Sequence, residues 1–166
     1  MSKKMICILI VTCFLSMFGC SGGGSDGGVD PPNNNLPPDP GDAGKATLQG
    51  IDSDNDGVRD DVQIAIDERY PNDINSQRVL TQQAVSLQDA IMVGDSGDQN
   101  NMAQVAEQIK RATNCLTSTM PDPADDAGFM ETQVVNTKAR SDAYMKFNAA
   151  MNGQFFGVDT SSNPCN

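Results

Sequence analysis

Histidine is absent from this chain of 166 residues, and the absence removes several kinds of catalytic chemistry. Without an imidazole there is no histidine general base, no Ser-His-Asp triad and no histidine metal ligand. The glycine- and aspartate-rich run at residues 94–98 lacks the lysine of a phosphate-binding loop. We therefore predict that the protein is not an enzyme. A remote alternative is a hydrolase that uses paired carboxylates.

Basic residues are also scarce, since 11 Lys and Arg stand against 22 Asp and Glu. This balance excludes a nucleic-acid binder of the ordinary electrostatic kind and disfavours direct contact with anionic lipid. An excess of carboxylates instead fits a chain that gathers divalent cations. Part of the excess serves the solubility of an exported protein.

Long apolar runs are limited to one, at residues 5–18, which follows Lys3 and Lys4. It is too short for a transmembrane helix, which needs about 20 apolar residues. A positive start and a short apolar run predict a secretory signal peptide over residues 1–19. Its end, M-F-G-C, resembles the lipobox of bacterial lipoproteins. That resemblance implies lipidation at Cys20 and, because serine follows, sorting to the outer membrane; an ordinary cleaved signal is the alternative.

Residues 20–45 are rich in Gly, Pro, Asn and Asp and poor in apolar side chains. Such a segment buries too little surface to offset the entropy of ordering it. We predict a disordered linker that carries the lipid-bearing cysteine at its start. The remaining residues, 46–166, are enough for one folded domain.

Two cysteines remain in that domain, Cys115 and Cys165. In an oxidising exported compartment they most simply form a disulfide. The alternative is a pair of reactive thiols, but no C-x-x-C spacing supports it.

The most informative segment is D-S-D-N-D-G-V-R-D-D at residues 52–61. Alternating carboxylates let a curled backbone direct oxygen ligands toward one hard cation, and the glycine at the sixth position permits a sharp turn. The pattern predicts a Ca²⁺ site over residues 52–63. Its ligands would be Asp52, Asp54, Asp56, the carbonyl of Val58, Asp60 and Gln63. The alternative is an acidic linker that binds nothing tightly.

The last ligand position departs from the EF-hand, because Gln63 stands where a bidentate Glu is expected. No helical repeat precedes the loop, so the block resembles the loop-then-helix half-motif of thrombospondin type 3 repeats and dockerins. A lipobox, a linker, the block at residues 50–61 and a helical domain are together similar to uncharacterised lipoproteins of Gram-negative bacteria. That similarity implies one domain, calcium and the cell envelope, and it brings no known activity.

Apolar residues at spacings of three and four predict an all-α domain, a small up-and-down helical bundle. We expect helices at residues 60–70, from 72 or 73 to 94, 99–119 and 124–152. The apolar stripes are read as core rather than as a binding groove. The polar run 136–142 in the fourth helix is the candidate partner contact, through Asn136, Lys138 and Arg140; a solvated helix face is the alternative.

The sequence thus predicts a calcium-binding, lipid-anchored envelope protein that acts as a binding or scaffolding module. Its expected partners are the membrane, through the lipid, and a protein or glycan of the envelope. The alternative is a purely structural envelope protein in which calcium staples the fold.

Overall fold

Short polar connections separate five α-helices in the computed structural model, which describes residues 36–152 and 163–165. The helices are α1 (Asp60–Arg69), α2 (Ile74–Ser96), α3 (Gln99–Thr119), α4 (Pro123–Val134) and α5 (Lys138–Met151), and a 3-10 helix, Gly41–Lys45, precedes them. No strand occurs in these two described ranges. The predicted all-α, up-and-down helical bundle is confirmed.

Helix α2 is the centre of the bundle, because it packs against each of the other four α-helices. The apolar stripes predicted from the sequence form its core. The buried members include Leu80, Ala84, Leu87 and Ile91 of α2, Met102, Val105, Ala112 and Leu116 of α3, and Met130 and Val134 of α4. Burying each Val, Leu, Ile or Met side chain among them contributes about 1.5–3 kcal/mol relative to leaving it exposed.

Side-chain caps set where four of the helices begin. The carboxylate of Asp73 accepts hydrogen bonds from the amides of Asn75 and Ser76 at the start of α2. Asp98, Asp122 and Thr137 cap α3, α4 and α5 in the same way. Each cap satisfies an amide that has no partner within its helix.

Helix α2 does not stop at Gly94, as the sequence suggested, but continues to Ser96. Gly97, with a φ of 71°, is the residue that ends it. Gly94 lies inside the helix, where a Cβ would meet the carbonyl oxygen of Ala143 at 2.2 Å. The glycine therefore permits a close approach of α5 rather than a helix end.

The predicted fourth helix, residues 124–152, is wrong as a single element. The chain leaves the helix at Val135 and starts again after Thr137, whose hydroxyl caps α5 by accepting from Arg140 N–H. The break falls at the start of the polar run that was assigned to a helix face. Helices α4 and α5 each pack against α2.

The predicted disulfide between Cys115 and Cys165 is formed. It joins α3 to the segment at residues 163–165. The side-chain amide of Gln82 in α2 also donates a hydrogen bond to the carbonyl of Pro164 in that segment, at 2.9 Å. The bridge closes a loop of 50 residues. In the chain-entropy description such a loop contributes about 4 kcal/mol.

The linker was predicted to extend to residue 45, and this predicted boundary is wrong. Residues 36–45 are ordered, and Gly44 is buried. The predicted signal peptide, the lipidation site Cys20, residues 21–35 of the linker and the apolar tail residues Phe155, Phe156 and Val158 lie outside the described residues. No helix in the described ranges combines the length and apolarity needed to cross a membrane.

Candidate metal centre

The acidic loop folds back on itself immediately before α1. The amide of Asp60 donates to the carbonyl of Ile51 at 2.8 Å, which brings the two ends of the loop together. Gly57 has a φ of 93°, and Asn55 has a φ of 59°. The glycine at the sixth loop position therefore makes the turn that the calcium-loop pattern predicted.

Three carboxylates meet inside this turn. One oxygen of each of Asp52, Asp54 and Asp60 lies within 4.8 Å of the other two. Asp54 is exposed, Asp52 is half-buried and Asp60 is buried. The arrangement could hold a metal ion, because carboxylate oxygens are the ligands of hard divalent cations.

Asp60 is the residue that distinguishes this group from an ordinary acidic surface. Its side chain is 1% exposed, and its Oδ1 accepts a hydrogen bond from the amide of Ser53 at 2.8 Å. Its Oδ2 is buried and has no hydrogen-bond partner. A buried carboxylate oxygen without a partner is costly, since it has lost water and gained nothing. A cation is the partner that would satisfy it.

Gln63 lies beside the same carboxylates. Its Nε2 donates to Oδ2 of Asp54 at 3.2 Å, and its own Oε1 is a buried oxygen without a partner. The structure therefore brings this residue to the site, as the sequence predicted. Its unpartnered amide oxygen is a neutral candidate ligand in the place of the bidentate Glu of an EF-hand.

Asp56 was predicted as a ligand, but the group of close carboxylates does not include it. Its Oδ1 accepts from the amide of Val58 at 2.8 Å, so it shapes the turn. Burial raises the pKa of Asp56; the hydrogen bond from Val58 lowers it, and the negative Asp54, Asp52 and Asp60 raise it further. The loop is thus a region of concentrated negative charge.

Val58 was predicted to offer its carbonyl. The structure places its side chain in the hydrophobic core, where it is 1% exposed. On either side of it, the amide of Gln88 in α2 donates to the Gly57 carbonyl at 3.0 Å and accepts from Arg59 N–H at 3.1 Å. The C-terminal half of the loop is therefore fixed to the central helix.

Arg59 attaches the loop to α4. Its buried guanidinium donates to the carbonyls of Val134 and Gln133, at 3.0 Å each, and pairs with Asp61 at 2.9 Å. These carbonyls belong to the last turn of α4, where no intrahelical donor remains. Burial acts to raise the pKa of Asp61, but hydrogen bonds from Arg59 and Asn136 and the charge of Arg140 hold it below its ordinary value.

The candidate partner contact is corrected for Arg140. Its side chain is 0% exposed and donates to the carbonyls of Gly44, Thr47 and Leu48 and to Oδ1 of Asn136. Asn136, although exposed, also donates to Asp61 at 3.0 Å. Lys138, the third predicted residue, is also exposed and pairs with Asp142 on its own helix.

Arg59, Gln88 and Arg140 support the site, a role that the sequence pattern predicted for none of them. A weak signal existed for Arg59, because it lies between the core residue Val58 and the loop residue Asp60. A further signal was Gly50, where a Cβ would meet Cδ of Arg59 at 2.4 Å and Nη2 of Arg140 at 2.9 Å. Nothing local marks Gln88, since its contacts are about 30 residues away along the chain.

No protein-family model, curated protein or solved structure matches this chain significantly. What the protein does is therefore inferred from its own residues and their geometry.

Proposed function

We propose that the loop of residues 52–63 binds Ca²⁺ in a lipid-anchored protein of the cell envelope that acts as a binding or scaffolding module. The observation that carries the calcium proposal is the buried, unpartnered Oδ2 of Asp60 beside Asp52 and Asp54. Native proteins rarely leave such an oxygen without a partner.

Charge repulsion supports the same conclusion. Even at 4.8 Å, the upper limit of these separations, two like charges repel by about 1 kcal/mol in water and by roughly 3 kcal/mol at the dielectric of a protein surface. Three carboxylates carry three such pairs. A divalent cation converts this repulsion into attraction, so the loop as folded is better suited to the metal-bound state.

The ligand set favours Ca²⁺ over transition metals, because every candidate donor is oxygen and none is sulfur or nitrogen. Replacing a bidentate Glu with the neutral amide oxygen of Gln63 removes charge from the site. We therefore expect an affinity in the extracellular range, about 10⁻⁴ to 10⁻³ M. A loop that curls around its ion also suits Ca²⁺ better than the strict octahedron of Mg²⁺.

The anchor and the envelope location rest on the sequence of residues 1–20. Lipidation of Cys20 would hold the domain at the membrane through the linker. A Cys20→Ser variant should leave the membrane fraction of producing cells, and its retention there would contradict the proposal.

A purely structural role, with calcium as a staple, is the second candidate. The position of Arg140 favours it, because burial removes one of three residues assigned to a partner. A substitution at Lys138 distinguishes the two roles. A partner recovered from envelope extracts and lost in a Lys138→Glu variant would support the binding module, whereas the staple requires no such partner.

Calorimetric titration of the full-length chain in detergent tests the metal site directly. We expect Ca²⁺ to bind more tightly than Mg²⁺ and to raise the melting temperature. At 100 times its dissociation constant, the ion should add about 2.7 kcal/mol to the free energy of unfolding. Absence of both heat and stabilisation would refute the site.

Asp60→Asn is the most informative variant, with Asp95→Asn as its control at an exposed position outside the loop. Asparagine keeps the shape and the acceptor for Ser53. The metal-free variant should therefore be at least as stable as the wild type, because repulsion is relieved, yet it should lose the response to Ca²⁺. Asp56→Asn should reduce the response to Ca²⁺ less than Asp60→Asn does, since Asp56 lies outside the group of three close carboxylates.

A further inference from the structure

A cavity of about 420 Å³ lies between α2 and α3 and uses none of the loop residues. From α2 it is lined by residues at helical spacing, among them Arg78, Thr81, Val85 and Ser86. From α3 the lining includes Arg111. Its size falls within the range of small-molecule sites, about 300–1,000 Å³.

The two arginines are unusual in this acidic chain because neither has a partner among the described residues. The other described cations, apart from Lys45, are held: Arg59, Arg69, Lys110, Lys138 and Lys146 form ion pairs, and Arg140 is bonded to carbonyls. Two of the three uncommitted cations therefore line one cavity. With a formal net charge of −11 on the chain, carboxylates are plentiful, and yet none in ranges 36–152 and 163–165 pairs with these two guanidiniums.

The rest of the lining fits recognition of a small molecule. Thr81, Ser86 and Gln108 bring hydroxyl and amide groups, and Val85 brings an apolar wall. The hydroxyl of Ser86 donates to the carbonyl of Gln83 at 2.8 Å, so its oxygen can still accept. Sites for small ligands combine apolar surface with a few polar groups in this way.

We propose that this cavity binds a small organic dianion, whose two negative charges meet Arg78 and Arg111. Guanidinium groups bind carboxylate and phosphate in a bidentate manner, and a phosphate monoester carries a charge between about −1.5 and −2 at neutral pH. A dicarboxylate presents the same charge on two groups. The apolar body of the ligand would lie against Val85.

The test is calorimetric titration of the calcium-loaded, full-length chain with three probes: phenyl phosphate, succinate and the uncharged benzyl alcohol. The variants are Arg78→Gln and Arg111→Gln. Lys45→Gln is the matched control, since it removes the third unpaired cation without touching the cavity. All three positions are exposed, so folding and calcium affinity should be unchanged.

We expect saturable binding of at least one dianion and no comparable binding of benzyl alcohol. Each arginine variant should weaken the dianion about tenfold or more, the range for a hydrogen bond to a charged group, while Lys45→Gln should change it little. Preference between phenyl phosphate and succinate identifies the oxyanion. Binding of neither dianion, equal binding of benzyl alcohol, or equal weakening by Lys45→Gln would overturn the proposal.

Discussion

Arg140 gives the sharpest test of how the loop is held, because it is fully buried and its hydrogen bonds go to uncharged acceptors. It holds Gly44, Thr47 and Leu48, which lie just before the metal loop. Burial lowers the pKa of Arg140, and the positive Arg59 lowers it further, against the raising effect of Asp61. The guanidinium stays charged at neutral pH because its ordinary pKa is so high.

Replacing Arg140 with glutamine removes four donated bonds. A buried acceptor left without a donor costs about 1–3 kcal/mol. Gly44 is buried, but Thr47 is exposed, so water can satisfy part of the loss. We therefore expect Arg140→Gln to reduce the free energy of unfolding by about 2–6 kcal/mol, the cost of leaving the buried Gly44 carbonyl and the half-buried Leu48 carbonyl without a donor.

Urea denaturation of the full-length chain measures this change. Lys138→Gln is the matched control on the same helix, since Lys138 is 87% exposed and its pair with Asp142 should contribute about 0.5 kcal/mol at most. A loss below about 1 kcal/mol for Arg140→Gln would refute the reasoning. The folded variant should also bind Ca²⁺ more weakly, because the chain leading into the loop is released.

Three further predictions concern the bundle. Replacing Cys115 and Cys165 with serine should cost about 4 kcal/mol; reductant should do the same to the wild type, and an unchanged melting temperature under reductant would contradict the account. Gly94→Ala should destabilise by about 1–3 kcal/mol because its Cβ meets the carbonyl of Ala143. At Gly128 an added Cβ would meet nothing within 4 Å, so Gly128→Ala should instead stabilise the fold by about 0.5–1 kcal/mol. Equal melting temperatures for the two glycine variants would contradict this. The pKa of Asp73 lies below its ordinary value because its carboxylate accepts hydrogen bonds from Ser76. The stability that the ionised carboxylate adds to the fold is therefore present above a pH of about 4 and is lost as the pH falls through the depressed pKa. Asp73→Asn keeps the cap without the titration and should show a smaller acid-induced drop in melting temperature; equal drops would exclude the cap as the cause.

The sequence predicted those parts of the fold that are encoded locally. The stripe of α3 repeats at spacings of three and four, and its predicted bounds, residues 99–119, are the observed ones. Thr137 marks the start of α5 locally, but the break between α4 and α5 was missed because the contacts that hold the end of α4 come from far away along the chain. Arg59 donates hydrogen bonds to the last two carbonyls of α4, which lie 74 and 75 residues further along the chain. Only the folded chain brings these groups together.

The candidate site divides in the same way. Alternation along residues 52–60 predicted Asp52, Asp54, Asp56 and Asp60 as ligands, and the short loop brings three of them, all but Asp56, close together. Arg140 was read as a surface residue because its neighbours in sequence are polar. Its acceptors lie 92–96 residues earlier, apart from Asn136, and no local pattern reports such contacts.

The attachments of the loop bear on whether Ca²⁺ would act as a staple or a sensor. A sensor needs an element with two arrangements of similar free energy, one of which the ion favours. Here Val58 is in the core, Arg59 is bonded to α4, and Asp60 is already the first residue of α1. Moving any of these residues on metal binding would expose apolar surface or leave buried hydrogen-bond donors without acceptors. The ion would therefore gain its binding energy by relieving the carboxylates in place, which stabilises the bundle and leaves its helices where they are.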